Sequence, residues 1–302
     1  LELPVMNALP FKPAIFQHRR ERLMSEVGPD AMVAVASAPI RLRNGDTPYP
    51  YRQDSDFYYL TGLNEPDAVL VLRPGDQQQV TLFLRPKDKE RERWDGDRLG
   101  VEEACHTLGI DQAFEIGALD RMLPQLMLGR QSLYYLMGQH ASFEQHLNDL
   151  RVELQNDTDG AGGPTTVLSL QPLLHEQRLI KSPEEIRWMK KAAQVSAEAM
   201  VAAMQNAPLA SNEAHLEAEI LRIYTRQHAV PAYQPIVAGG QNALVLHYVE
   251  NNDKLNANDL ILIDAGCELA GYAADISRTF PKSGRFSTAQ KDVYEVVLKA
   301  QE

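Results

Sequence analysis

The stretch that decides the fold reads Leu260-Ile-Leu-Ile-Asp264-Ala-Gly-Cys-Glu-Leu-Ala-Gly-Tyr-Ala-Ala-Asp275-Ile-Ser-Arg-Thr-Phe280. An apolar run of four residues ends in a carboxylate, Asp264, and a short segment with Gly266 and Gly271 leads to a second run that starts with Asp275. Strand formers on both sides of turn chemistry predict an antiparallel hairpin. A symmetric register centred near Leu269 and Ala270 would set Asp264 directly opposite Asp275. Opposed side chains on one face have Cβ atoms ~5 Å apart. Two ionised carboxylates that close, flanked by apolar strand, repel unless a cation sits between them. Paired metal ions ~3.5–4 Å apart, bridged by carboxylates, fit such a place. The competing reading is two solvated turn residues, since Asp is common in turns. The Leu-Ile-Leu-Ile run before Asp264 weighs against it, but on pattern alone both readings stay open.

Helices and further strands surround this hairpin. Ser182-Pro183-Glu184-Glu185 is a capping box with proline at the first helical position. The helix it opens carries Ile186, Met189, Ala193, Met200 and Met204 at helical spacing, read as a face packed on a sheet. Ser211 begins the next helix, with Leu216, Ile220 and Ile223 on one face. Strands are predicted near 233–238, 244–249, 259–264 and 273–280. Ser287-Thr-Ala-Gln290 caps a last helix with Val293, Val296, Val297 and Ala300, and that helix reaches Glu302 without a stop signal. In the first half, Phe16 to Val27 and residues near 118–128 and 141–152 read as helices. Ala31 to Ala36, Ala68 to Leu72, Val80 to Leu84 and Leu133 to Met137 read as strands, so an α/β domain with a mixed sheet is expected. The segment Asn156 to Pro164 is a loop by composition. The domain boundary is placed at His175, giving domains 1–175 and 176–302.

A length of 302 residues suits two domains, and 44% hydrophobic with 24% charged residues describes a soluble globular protein. A net charge of −11 without a basic block argues against nucleic acid and anionic membranes as partners. No run approaches the ~20 apolar residues that span a bilayer. The sequence from Leu1 lacks the basic and apolar regions of a signal peptide. Cys105 and Cys267 give neither a disulfide framework nor a thiolate metal motif, which suits a reducing compartment. A cytoplasmic location is therefore expected, with an organelle matrix as the alternative if a targeting segment was removed ahead of Leu1. His175-Glu176 begins like a zinc-protease HExxH motif, but Leu179 stands where its second histidine must be.

The hairpin segment resembles the first metal-ligand signature of the pita-bread metallopeptidases, most of all that of the aminopeptidase P branch. Tyr51-Arg-Gln-Asp-Ser-Asp-Phe-Tyr-Tyr-Leu-Thr-Gly62, with Asn64-Glu-Pro-Asp-Ala-Val-Leu-Val-Leu72, resembles the N-terminal domain of that branch. Leu174-His-Glu-Gln-Arg-Leu-Ile-Lys-Ser-Pro-Glu-Glu-Ile186 resembles the join between its domains. Val237-Ala-Gly-Gly-Gln-Asn-Ala-Leu-Val-Leu-His-Tyr248 resembles the loop that brings a substrate-contacting histidine, here His247, to the metals.

The resemblance implies an α/β N-terminal domain followed by an α+β pita-bread (creatinase/aminopeptidase-like) domain, only its first half present. The family's five metal ligands run Asp, Asp, His, Glu, Glu, and Asp264 and Asp275 match the first two. The implied activity is a metallo-aminopeptidase that releases the N-terminal residue from peptides with proline in second position. A hydroxide bridging two divalent metal ions, of the manganese type, would attack the carbonyl. Asp264 would bridge or clamp the ions, Asp275 would chelate the second, and His247 would hydrogen-bond the substrate around the scissile bond. Tyr233 either lines the same pocket or is a core tyrosine. A homo-oligomer is expected, and Trp94, in a highly charged loop, either anchors a subunit contact, lines a neighbour's active site or is a local packing residue. The alternatives are a proline dipeptidase of the same fold and a non-catalytic peptide-binding module. Creatine amidinohydrolase shares the fold without metals, and the two aspartates disfavour it. The 302-residue chain alone is expected to be inactive.

Overall fold

The computed structural model describes residues 10–156 and 162–302. Part of the loop expected from Asn156 to Pro164 lies outside the described residues. The chain divides into two compact units, and the division falls after Ile180. His175 is therefore inside the first unit, on the helix Gln171–Leu179, and not at the junction. The physical reason is Leu174, which is fully buried in the core of the first unit and holds that helix to it.

The first unit is built on a six-stranded mixed sheet. Its strand order is Gln112–Glu115, Val80–Leu84, Val69–Leu72, Ala31–Ala36, Ser132–Tyr135 and Thr166–Ser169. Ala31–Ala36 runs antiparallel to Val69–Leu72 and parallel to Ser132–Tyr135. The central strands are apolar along their whole length because both faces are covered. Val33, Val35, Leu70 and Leu82 pack with Leu23, Phe57, Leu60 and Leu108. Met32, Ala34, Val71 and Phe83 pack with Leu123, Met127 and Leu147. Each fully buried side chain of this size contributes roughly 1.5–3 kcal/mol relative to exposure. This is the α/β domain that the sequence pattern predicts.

The second unit packs two long helices, Pro183–Asn206 and Glu213–Arg226, on a three-stranded sheet. The strand order is Ile236–Gly239, Leu260–Ala265, Ile276–Pro281, antiparallel throughout. The capping box forms as expected: the Ser182 hydroxyl accepts from the Glu185 amide at 3.3 Å, and the Glu185 carboxylate accepts from the Ser182 amide at 2.7 Å. The face expected on that helix is buried at its C-terminal end, where Met200 lies in the core and Met204 packs against it, but not at Ile186, Met189 and Ala193. Ala192, Val195, Ala199 and Ala203 are buried, whereas Ile186 is 41% and Met189 37% exposed. Small side chains let the helix approach closely enough for the buried Cys267 thiol to reach the Ala192 carbonyl at 3.4 Å. The second helix is capped by Asn212 rather than Ser211, its side chain accepting from the His215 amide at 3.1 Å.

Candidate metal centre

The Leu260–Ala265 strand alternates strictly: Ile261, Ile263 and Ala265 are buried against the helices, while Leu262 and Asp264 are half-buried on the opposite face. A charge at the end of the half-buried face keeps access to solvent and ions. Asp264 stands between Ile236 on one neighbouring strand and Ser277 on the other.

That register corrects the expected one, in which Asp264 faced Asp275. The hairpin closes one residue later, with Leu269 paired to Tyr272 and with Ala270 and Gly271 both left-handed at φ 54° and 80°. Two successive positive φ angles define the tight two-residue turn whose twist matches its strands. Alanine seldom adopts this conformation, so Ala270 does not announce the turn in the sequence. Asp275 consequently falls near Gly266. A Cβ at residue 266 would lie 1.7 Å from the Ala274 carbonyl oxygen and 3.0 Å from the Asp275 amide, so only glycine permits this approach.

The two carboxylates nevertheless converge, through a third residue. Val230–Pro231 pairs with Cys267 and Glu268, and the Ala232 amide donates to the Gly266 carbonyl at 2.9 Å. The next residue, Tyr233, points its hydroxyl between the aspartates, 2.6 Å from Asp264 Oδ1 and 2.9 Å from Asp275 Oδ1. Burial and the two carboxylates push the Tyr233 phenol far above its ordinary value, so it stays a neutral donor. It carries one proton and can donate fully to one carboxylate at a time. No local motif marks Tyr233 in the sequence, because strand pairing across the small sheet delivers it.

His247 is exposed on a turn after the short helix Gly240–Leu244. The strand expected over 244–249 does not form among the described residues, and the exposed Leu244, Val245 and Leu246 lead into the turn. No hydrogen bond or ion pair among the described residues joins His247 to either aspartate.

Comparison with known proteins decides the family. Residues 16–135 match the family described as Aminopeptidase P, N-terminal domain, and residues 187–302 match Metallopeptidase family M24. Xaa-Pro aminopeptidase of Haemophilus influenzae is 42% identical, over all of this chain and 68% of that protein. This chain belongs to the M24 metallopeptidases, in their Xaa-Pro aminopeptidase branch. A solved structure of Pseudomonas aeruginosa aminopeptidase PepP is 44% identical to the M24 chain, with a TM-score of 0.93 over 97% of this chain and 67% of that one. Zinc-substituted Escherichia coli aminopeptidase P in complex with product is 39% identical, with a TM-score of 0.92 over 96% and 67% of the two chains. The M24 chain thus spans about two thirds of the length of these relatives. Its second unit is the M24 pita-bread domain in part.

The residues present fit a metal of that family. Carboxylate oxygens suit hard divalent cations. Among the described residues no three His, Cys, Asp or Glu side chains come close enough to hold an ion by themselves. Asp264 and Asp275 offer two such carboxylates, joined by the Tyr233 hydroxyl.

Proposed function

We propose that the protein is a dinuclear Xaa-Pro aminopeptidase in which Asp264 and Asp275 supply two of the metal ligands and His247 contacts the substrate. The observation that carries this reading is the convergence of both carboxylates on the single Tyr233 hydroxyl. One neutral donor cannot compensate two adjacent negative charges, and divalent cations can. When bound, such ions polarise the scissile carbonyl and lower the pKa of water. The oxygen donors fit manganese.

The chain's own residues orient this chemistry. Strand pairing on both sides fixes Asp264, the close approach at Gly266 sets Asp275, and Tyr233 holds the two carboxylates at a shared point. His247, exposed on its turn, is free to hydrogen-bond a peptide as charge develops on the carbonyl. The amide before proline is tertiary and has no N–H, so a site for it must grip the peptide elsewhere.

The match of residues 16–135 to the aminopeptidase P N-terminal domain supports aminopeptidase over dipeptidase. Trp94 is 87% exposed, which suits a homo-oligomer contact better than local packing. None of the described helices is long and apolar enough to cross a membrane. Cytoplasm is the proposed compartment, and the similarity to an Arabidopsis thaliana protein named mitochondrial intermediate cleaving peptidase 55 makes the organelle matrix the alternative.

The test is a peptide panel on the complete protein. Release of the first residue from an Xaa-Pro-Xaa tripeptide, abolished by chelator and restored by manganese, supports the proposal. Cleavage confined to Xaa-Pro dipeptides would make it a dipeptidase. Peptide binding without cleavage, indifferent to chelator, would make it a binding module.

A further inference from the structure

Glu213 is the first residue of the helix Glu213–Arg226 and its side chain is fully buried. Buried carboxylates are costly unless every lone pair finds a donor. Here Oε1 accepts from the Gly239 amide at 2.8 Å and the Asn242 side chain at 3.0 Å. Oε2 accepts from the Tyr248 hydroxyl at 2.7 Å and the Asp253 amide at 2.9 Å. The four donors are all neutral, and the helix N-terminus adds a favourable field. Burial and the carboxylate raise the Tyr248 phenol to about 12, so it remains a donor at neutral pH.

The positions of those donors carry the argument. Gly239 and Asn242 precede His247, and Tyr248 and Asp253 follow it. Val245 to His247 are exposed, and no strand pairing holds them. Asn251 adds a second tie: left-handed at φ 48° and buried, it accepts from the Val237 amide at 2.9 Å and donates to the Pro235 carbonyl at 2.8 Å. The loop that replaces the expected strand is therefore closed onto its neighbour by side chains. One carboxylate grips both of its roots.

We propose that Glu213 is a positioning residue for catalysis, which fixes the placement of His247 by tying together the segments on either side of it. The proposal rests on the reading of His247 as a substrate contact. Glu213→Gln presents an amide N–H₂ where two donors need an acceptor, with little change of volume. The loop roots should loosen and His247 should lose its place.

The experiment is a double-mutant cycle in the complete, manganese-loaded enzyme, using Glu213→Gln, His247→Ala and the pair. Misplacing a group that contacts substrate costs roughly 10–100-fold, so Glu213→Gln should lower kcat/KM by that amount with metal stoichiometry unchanged. In the His247→Ala background the same substitution should cost less than about twofold, because the residue it positions is gone. Tyr248→Phe removes one donor and keeps the ring, and serves the same cycle if Glu213→Gln does not fold. Its loss should also disappear without His247. An equal loss in both backgrounds, or no loss in either, overturns the proposal while leaving His247 as a contact. Unchanged kinetics in His247→Ala alone would instead remove the reading of His247, and the proposal with it.

Discussion

Asp264 and Asp275 are diagonal neighbours and not an opposed pair: Ser277 stands across from Asp264, and Asp275 lies nearer the turn. They meet because the Tyr233 hydroxyl reaches both, at 2.6 and 2.9 Å. Tyr233 thus links two carboxylates that the strand register leaves unpaired. Groups that hydrogen-bond metal ligands restrict their orientations, and losing one typically costs about 10–100-fold in metal affinity or activity. Tyr233→Phe in the complete protein should weaken metal binding by that order while the melting temperature of the metal-free form changes little. Competition with a chelator measures it. An unchanged affinity would reduce Tyr233 to a packing residue.

Removing a ligand itself should have a larger effect. Asp264→Asn or Asp275→Asn replaces a charged ligand by a neutral amide of similar volume, so metal should suffer before packing does. Each variant of the complete protein is expected to lose Xaa-Pro cleavage and bound metal and to keep its circular dichroism spectrum. Near-normal manganese stoichiometry with normal turnover in either one would remove the central claim.

Gly266 gives a prediction about stability. An alanine methyl would meet the Ala274 carbonyl oxygen at 1.7 Å, and that atom is backbone, so the hairpin itself must move. Overpacking of this kind costs roughly 1–3 kcal/mol, and a backbone clash belongs at the upper end. The displaced backbone leads directly into Asp275, so Gly266→Ala should lower both the melting temperature and the metal content. Calorimetry with metal analysis checks both. A variant with lower stability but full metal would mean that Asp275 is held from elsewhere.

Much of this was legible in the sequence, for identifiable reasons. The apolar runs at Ala31–Ala36 and Val80–Leu84 became strands with those limits because both faces of their sheet are covered. The capping boxes at Ser182 and Ser287 formed because they depend only on neighbours along the chain. The register at Asp264 is not legible in the sequence, because an alanine occupies a left-handed turn position that usually announces itself with glycine or asparagine. The strand expected over 244–249 does not form, because the short helix Gly240–Leu244 takes up its start and the Val245 amide donates locally to the Asn242 carbonyl. Tyr233 carries no local signal, because its place follows from the pairing of Val230–Pro231 with Cys267 and Glu268, which are distant in sequence.

The last helix, Thr288–Gln301, leads to a prediction for residues 1–302 taken by themselves. Its capping box is complete, with the Ser287 hydroxyl accepting from the Gln290 amide at 3.3 Å and the Gln290 side chain accepting from the Ser287 amide at 2.9 Å. Its apolar residues stay uncovered all the same: Val293 is 68%, Val296 67% and Val297 65% exposed. Monomeric soluble proteins rarely leave contiguous apolar patches larger than roughly 600 Å² open to water. The carboxylate pair points the same way, because hard divalent ions take about six or more ligands and two aspartates supply too few. Residues 1–302 expressed alone should associate through the valine face, hold no stoichiometric pair of metal ions and show no peptidase activity. Replacing Val293, Val296 and Val297 by polar residues should relieve the association and leave the chain inactive. Light scattering, metal analysis and a peptide assay on the same sample decide the matter, and a monodisperse, metal-loaded, active product would mean that the ligands lie elsewhere in this chain.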